Sequence, residues 1–392
     1  MNYNFTISER QDRGEVITPE PLIEKMLDKL PQEVFKSETT TFLDPCFGTG
    51  SFLKGVVLRL SANGHSTENI NSRVFGFEIN NKMFNETKRK FRGISIIKQD
   101  FLKTDINMKF DVIVGNPPYQ NGSNSMSEAL WLKFIVKASK LSNKVLFVTP
   151  KSWCNLSEDS YKQELYNIFN EKLVYANISE DIKKNYFSGI GSSFSYFILD
   201  SNKNKNTFTI KNKDVFELSY EEVKWIPNNL DRMTLNILNK TLWSNSKKLN
   251  GSFNEITGYR KGGKFIDASG RFKISNTSAQ YSKDIWLYTN TPQEIMTKNK
   301  VIFSDSGYNK PYYDNGNINL GHHSRAIFVK NENEGIELIE FLNSKLVSFL
   351  IKTKTPSGTS VGFESIIKYL PEDYKNINLT QEEIDYIENA IK

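Results

Sequence analysis

"TFLDPCFGTGSFLKGV", Thr41 to Val56, is the stretch on which the fold turns. Its opening residues read as a short strand ending in Asp44, Gly48 and Gly50 stand in a turn, and "SFLKGVVLRLSA" continues at helical spacing. Strand, glycine turn and helix in that order open a parallel βαβ unit. In an open parallel sheet, ligands bind where such turns gather at the carboxyl ends of the strands, and glycine lets the backbone approach them closely. Two familiar glycine motifs fit poorly. Leu53 stands where a dinucleotide fingerprint has its third glycine, and no Lys-Ser/Thr pair follows as a phosphate-cradling loop requires.

Upstream, "TPEPLIEKMLDKL" (Thr18 to Leu30) predicts a helix with Thr18 as cap and Pro19 at its first position. Downstream, strands and helices alternate. "RVFGFEI", "ISIIKQD", "FDVIVGN", "KVLFVTP", "KLVYANI" and "SSFSYFILD" read as strands; "NKMFNETKRKF", "SEALWLKFIVKASKL" and "SYKQELYNIF" read as helices. The pattern predicts an α/β fold with a doubly wound, mostly parallel sheet covered on both faces. A polar stretch, "DSNKNKNTFTIKNKD" (Asp200 to Asp214), is the expected border between a domain of residues 1–212 and one of 213–392. The second domain is expected to be mixed, with helix-like segments at "GIELIEFLNSKLVSFLI" and "TQEEIDYIENAIK", and no repeat is visible.

Composition narrows the class. The 392 residues suffice for two domains, and 24% charged with 38% hydrophobic residues excludes wholesale disorder. The polar opening "MNYNFTISERQDRGEV" lacks the apolar core of a signal peptide and no apolar run is long enough to span a membrane, so a cytoplasmic location is expected. Cys46, Cys154, His65, His322 and His323 are too scattered for a zinc site, and no metal is expected. The His322-His323 pair reads as an exposed loop. A net charge of +6 is compatible with a polyanionic partner.

Three further strand ends carry chemistry. Glu78, followed by Ile79, stands where an acidic side chain commonly accepts from the two hydroxyls of a ribose. Asp100 and Phe101 come next, a carboxylate and a ring suited to hydrogen-bond and flank a purine. The fourth strand runs into Asn116-Pro117-Pro118-Tyr119. In a doubly wound sheet the first and fourth strands are neighbours, so this segment and the glycine turn face one crevice. Proline has no N–H to donate, which leaves carbonyl oxygens as the backbone groups offered here, and Asn116 adds a side-chain oxygen. Two fixed acceptors suit an NH₂ group, and Tyr119 offers a stacking face for a planar base. That is what methylation of an exocyclic amine demands: acceptors pulling on its hydrogens favour a pyramidal nitrogen with an outward lone pair. The catalytic work is positioning and electrostatics, with no tuned base required.

Asp44-Pro45-Cys46-Phe47-Gly48-Thr49-Gly50 followed by Asn116-Pro117-Pro118-Tyr119 resembles the S-adenosylmethionine-dependent DNA adenine-N6 methyltransferases of restriction-modification systems. The resemblance covers roughly the first 200 residues, in the γ order: "ITPEPLIEKM", cofactor turn, amine corner, target-recognition domain. It implies that Thr18, Asp44, Pro45, Gly48 and Gly50 hold the methionine part of S-adenosylmethionine, Glu78 and Ile79 its ribose side, and Asp100 and Phe101 its adenine. Asn116, which also borders the cofactor, and Pro117 would take the target amine, with Pro118 stiffening the corner and Tyr119 stacking on the ring. Phe187, in "KKNYFSGIGSSFSYFIL", would close the other face, although Tyr186 competes for that role. The target would be an adenine flipped out of double-stranded DNA. Arg260, Lys261, Lys264, Arg271 and Lys273 in "EITGYRKGGKFIDASGRFK" would grip the duplex, unless they form a solvated charged face. A cognate restriction endonuclease encoded separately is a compatible partner.

Alternatives share these motifs. Enzymes that methylate RNA adenine or a protein glutamine amide carry a similar amine corner, and a combined restriction-modification enzyme would add a nuclease. For the latter, Asp214 with Glu222-Val223-Lys224 is the nuclease-like spacing present. Pro45-Cys46 imitates a cytosine-C5 nucleophile but follows the wrong strand, in the cofactor turn.

Overall fold

A computed structural model describes residues 17–119, 129–158, 162–253, 256, 258–276, 286–305, 310–354 and 363–392. The polar opening, residues 120–122 after Tyr119, the starts of two expected helices (127–128 and 160–161) and positions 254, 255 and 257 near the basic loop lie outside them.

The chain divides into two compact units, one ending at Trp225 and one running Ile226–Lys392. The first is built on a nine-stranded sheet. Its strands are β1 (Phe42–Asp44), β2 (Val74–Phe77), β3 (Ser95–Ile97), β4 (Phe110–Gly115), β5 (Ser142–Pro150), β6 (Leu173–Asn177), β7 (Phe194–Asp200), β8 (Thr207–Lys211) and β9 (Val215–Ser219). They lie in the order β3-β2-β1-β4-β5-β7-β6-β8-β9. The first five are parallel, β1 pairing with both β2 and β4, so the strand order reverses beside β1 as expected. β7 runs antiparallel between β5 and β6.

The border expected at 212 falls instead after Trp225, because the stretch read as a linker contains β8 and precedes β9, an antiparallel hairpin that completes the sheet. Phe208 and Ile210 are buried while their neighbours face outward, so half of each strand is polar and the hairpin reads as linker.

The helices of this unit are α1 (Glu20–Leu27) and α2 (Glu33–Lys36), which precede β1, and α3 (Ser51–Ala62), α4 (Thr67–Arg73), α5 (Asn81–Lys90), α6 (Leu130–Leu141), α7 (Gln163–Lys172) and α8 (Asp181–Tyr186), which lie between the strands. Leu22, Ile23, Met26 and Leu27 put the apolar face of α1 into the core, each contributing roughly 1.5–3 kcal/mol. Gly55 lets α1 and α3 approach: a Cβ there would stand 2.7 Å from Leu27 Cδ1. Lys54 pairs with Glu20 at 2.7 Å, and Arg59 with Glu24 and Asp28 at 2.6 Å each, which fixes α1 along α3. The cap differs from the expectation. Pro19 occupies the cap position with no side-chain bond to the helix, and Thr18 turns its hydroxyl elsewhere.

The second unit contains α9 (Arg232–Lys240), β10 (Gly251–Ser252), β11 (Phe272–Ser275), β12 (Leu287–Thr289), β13 (Asn299–Ser304), β14 (Tyr312–Asn315), β15 (Ile318–Leu320), β16 (Ser324–Phe328), α10 (Glu332–Leu342), α11 (Lys345–Lys354) and α12 (Gln381–Ala390). The strands form a four-stranded sheet, β10-β16-β13-β14, and a three-stranded one, β12-β11-β15. Lys300 and Asp314, both fully buried, pair at 2.5 Å between β13 and β14, and Asp314 also accepts from the backbone of the turn after β14. The expected helical segment from Gly335 onward is two helices, separated around Asn343-Ser344, and α12 opens on a reciprocal cap between Thr380 and Glu383.

Candidate active site

The site forms where β1 and β4 end side by side. Asp44 Oδ1 accepts from the Cys46 amide at 3.1 Å, turning the chain out of β1. Gly48 (φ 52°) and Gly50 (φ 84°) then adopt left-handed conformations that side chains resist. Gly50 is doubly required, since a Cβ would also stand 2.7 Å from the Phe91 ring, whereas a Cβ at Gly48 would meet Met83 Sδ at an ordinary contact distance of 3.9 Å.

Glu78, at the end of β2, is buried and folds back over this turn. Its Oε2 accepts from Gly48 N at 2.8 Å and its Oε1 from Asn80 N at 2.6 Å. Ile79 beside it is 67% exposed, a large apolar side chain held open at the rim. Asp100 accepts from Leu102 N at 2.9 Å. Phe101 is not on the rim. Its ring is buried, 5.4 Å from Phe134 and 5.8 Å from Phe77, so the structure places it in the core below the loop.

Lys137 of α6 was not foreseen. Its ammonium donates to the carbonyls of Phe101 (2.6 Å), Leu102 (3.2 Å) and Thr104 (2.5 Å), tying down the loop after β3. The signal was present: Lys137 occupies a position of the apolar stripe of "LWLKFIVKASKL", three residues after Phe134 and four before Leu141.

Across the crevice, Asn116 is held from three directions. Its Nδ2 donates to Thr18 Oγ1 at 3.0 Å, its Oδ1 accepts from the Tyr119 hydroxyl at 2.6 Å, and its backbone carbonyl accepts from Cys46 Sγ at 3.4 Å. The last contact joins the glycine turn directly to the amine corner. Contact is close on the strand side as well: a Cβ on Gly115 would stand 3.1 Å from Asp44 Oδ1. Tyr119 lies 5.3 Å from Phe194, which in turn lies 4.3 Å from Phe187. The ring set beside Tyr119 is thus Phe194, with Phe187 buried behind it and Tyr186 half-exposed.

Burial governs protonation here. It pushes the Asp44 carboxyl up to about 8, with the Cys46 amide opposing and the charge of Glu78 adding. Burial, then the charges of Asp44 and Glu78, raise the Cys46 thiol well above its ordinary value. Cys46 therefore acts as a thiol donor to a carbonyl, the opposite of what a cysteine nucleophile needs. Tyr119 is likewise raised by burial, so its phenol stays a donor to Asn116.

Residues 56–216 match the family model of the Eco57I restriction-modification methylase. That match places a methylase region of the restriction-modification type within the first unit. Over 111 residues it is 34% identical to the type II methyltransferase M.CvrRI of Paramecium bursaria Chlorella virus XZ-6E, covering 28% of this chain and 26% of that protein. Over 94 residues it is 34% identical to an uncharacterized adenine-specific methylase of Mycoplasma pneumoniae, covering 22% of this chain and 19% of that one. These matches span about a quarter or less of the relatives' length. The methyltransferase subunit of the type I restriction-modification system from Streptococcus thermophilus aligns over 50% of this chain and 47% of its own at 16% identity, with a TM-score of 0.39. The matched region lies on the mostly parallel sheet with β7 reversed.

Outside that region, Arg260, Lys261, Lys264, Arg271 and Lys273 are all exposed. Arg260 and Lys261 sit on a tight turn closed by Gly263 N to Arg260 O at 2.7 Å, and the loop is pinned by Tyr259 against Phe265 at 4.6 Å. Lys273 lies 4.9 Å over the Trp286 ring. His323 is half-exposed with its Nδ1 at 3.1 Å from Asp305, so the histidine loop is anchored. Glu222 of the nuclease-like spacing accepts from the amide and hydroxyl of Ser219 in the turn after β9, a local structural bond. Among the described residues no helix is long and apolar enough to cross a membrane.

Proposed function

We propose that the methyltransferase domain transfers a methyl group from S-adenosylmethionine to N6 of an adenine flipped out of duplex DNA, and that the second unit recognises the target. The observation that carries this is Asn116: its amide oxygen stands at the end of β4, and its carbonyl is joined to the cofactor turn by Cys46.

The turn fits the cofactor. Gly48 keeps the turn free of a side chain, Glu78 brings a buried carboxylate to it, and Ile79 offers an exposed apolar face for the adenosine. Asp44 is a carboxyl that a neighbouring cation would return to its charged form, as the methionine ammonium would. Thr18, Pro45, Gly50, Asp100 and Asn116 border the same space on this reading, while buried Phe101 would shape it from beneath.

S-adenosylmethionine would supply an electrophilic methyl carbon on its sulfonium. Asn116 Oδ1 and the Pro117 carbonyl would accept the two amine hydrogens, Pro118 would keep that corner rigid, and Tyr119 would stack on the purine. With that group bound, the amine nitrogen would take the methyl as its bond to sulfur breaks, and the extra proton would leave to solvent after transfer. Phe194, already beside Tyr119, and Phe187 behind it would support the stacked base. Flipping costs a few kcal/mol of unstacking, which the grip of Arg260, Lys261, Lys264, Arg271 and Lys273 on duplex phosphates would offset. The adenine-specific Mycoplasma methylase supports the choice of base.

The test is incubation with labelled S-adenosylmethionine and duplex DNA, followed by nucleoside analysis. N6-methyladenine in a fixed sequence context is expected. Label confined to RNA or protein would favour the RNA adenine or glutamine alternatives and refute this one. Asn116→Ala should lose transfer by about a hundredfold or more while retaining cofactor affinity; equal loss of both would make Asn116 a folding residue.

A further inference from the structure

We infer that Thr18 is a positioning residue that decides which way round the Asn116 amide stands, and hence whether an oxygen or an NH₂ group meets the amine to be methylated. The inference rests on the adenine-amine reading above and concerns the same site.

An asparagine amide carries an acceptor and a donor of nearly equal size at its two tips, so shape alone does not fix its orientation. The partners at each tip must do so. At Asn116, Nδ2 meets Thr18 Oγ1 at 3.0 Å and Oδ1 meets the Tyr119 hydroxyl at 2.6 Å. A phenol is the stronger donor of these two hydroxyls, since its oxygen lone pair is partly delocalised into the ring; the aliphatic hydroxyl is the better acceptor. Tyr119 therefore favours the oxygen and Thr18 the NH₂. The two ends select one orientation together.

The other orientation would be unproductive. It would present amide hydrogens to an amine that itself offers only hydrogens, which repels the substrate and removes one of the two acceptors. Thr18 is placed for this role from far away in sequence: it is 5% exposed, immediately ahead of Pro19 and the α1 helix that Lys54 and Arg59 fasten to α3. The contact spans 98 residues of chain. Pro19 holds the cap position of α1, so the Thr18 hydroxyl one residue earlier serves Asn116.

This role separates from cofactor binding in a double-mutant experiment on the full chain. Thr18→Val keeps the volume and branching but removes the acceptor, leaving Nδ2 unsatisfied unless the amide turns over. Its kcat for duplex DNA should fall about tenfold, the equivalent of roughly 1.4 kcal/mol. The Kd for S-adenosylmethionine, measured by calorimetry, should rise by clearly less than kcat falls, because the Thr18 hydroxyl that is removed is bonded to Asn116. Thr18→Ser retains the hydroxyl and should restore kcat; it also serves if the valine variant folds poorly.

The decisive arm uses Asn116→Asp, whose two oxygens are equivalent, so that no wrong way round exists. In that background Thr18→Val should change kcat by no more than about twofold, whatever the activity of Asn116→Asp itself. Three results would overturn the inference: cofactor affinity falling in step with kcat, Thr18→Ser as impaired as Thr18→Val, or an equal penalty in both backgrounds. Wild-type chain that methylates no adenine in DNA refutes the adenine reading and this inference with it; normal wild-type methylation with an additive cycle refutes the inference alone.

Discussion

Asp44 sits at the end of β1 with 2% exposure and its carboxyl pushed up to about 8 by burial, so at neutral pH it holds a proton. A bound cation at that position lowers the value, and the proton is released as the cation binds. Affinity for S-adenosylmethionine should therefore rise with pH by up to about tenfold per unit between roughly 6 and 8, then level off. Folding runs the opposite way. The unfolded chain sheds this proton near 3.8 while the folded protein keeps it until about 8, so the group's contribution to stability declines as pH rises through that window. Calorimetry across pH checks the first effect, and Asp44→Asn should flatten both; an affinity independent of pH would detach Asp44 from the cofactor. At this scale the places of these residues in the fold were legible in the sequence and their bonding partners were not. Asp44, the glycines, Glu78 and Asn116 announce themselves by their places after strands. That Thr18 bonds Asn116, or that Phe194 and not Phe187 lies beside Tyr119, depends on packing between segments far apart in the chain.

Elements position those side chains, and Lys137 shows how. Burial holds its ammonium below the usual lysine range, yet three carbonyls of the loop after β3 accept from it. Lys137→Met keeps the length and apolar stem while leaving those carbonyls without their donor. We expect a loss of about 1–2 kcal/mol, a fall in Tm of several degrees, and weaker cofactor binding with kcat at saturating cofactor little changed. Thermal unfolding and titration calorimetry would measure both, and unaltered cofactor affinity would limit Lys137 to a stabilising part. Elements with a strong period were legible: α3 spans the very residues "SFLKGVVLRLSA" expected of it. Those with half their surface polar were not. β8 and β9 bury Phe208, Ile210 and Phe216 but turn Lys211, Val215 and Glu217 outward, and sequence reading saw only the polar half. The α4 and α8 helices, seven and six residues long, are too short for a period to show.

For the whole molecule, the two units differed in legibility for the same reason. The first repeats one strand-helix period around a parallel sheet, whereas the second joins strands of two to six residues, such as β10 and β13, into two small sheets through irregular loops. Its core around Ile302, Ile318, Leu320 and Ala326 gathers isolated apolar residues that show no pattern along the chain. What the second unit does display is charge on rigid supports: Arg260 and Lys261 on a closed turn, Arg271 at the entry to β11 and Lys273 on it above Trp286. Side chains ordered before binding lose less entropy on meeting phosphates than free ones would. If they grip DNA, each phosphate they neutralise should steepen the dependence of log K on log salt by about 0.9. Replacing Arg260, Lys261 and Lys264 together by alanine should then reduce that slope by roughly 2 to 3 in filter-binding or anisotropy titrations. The affinity for S-adenosylmethionine should not move, because the cofactor turn lies in the other unit. An unchanged slope would leave these cations a solvated face and transfer the search for the duplex grip to other parts of the chain.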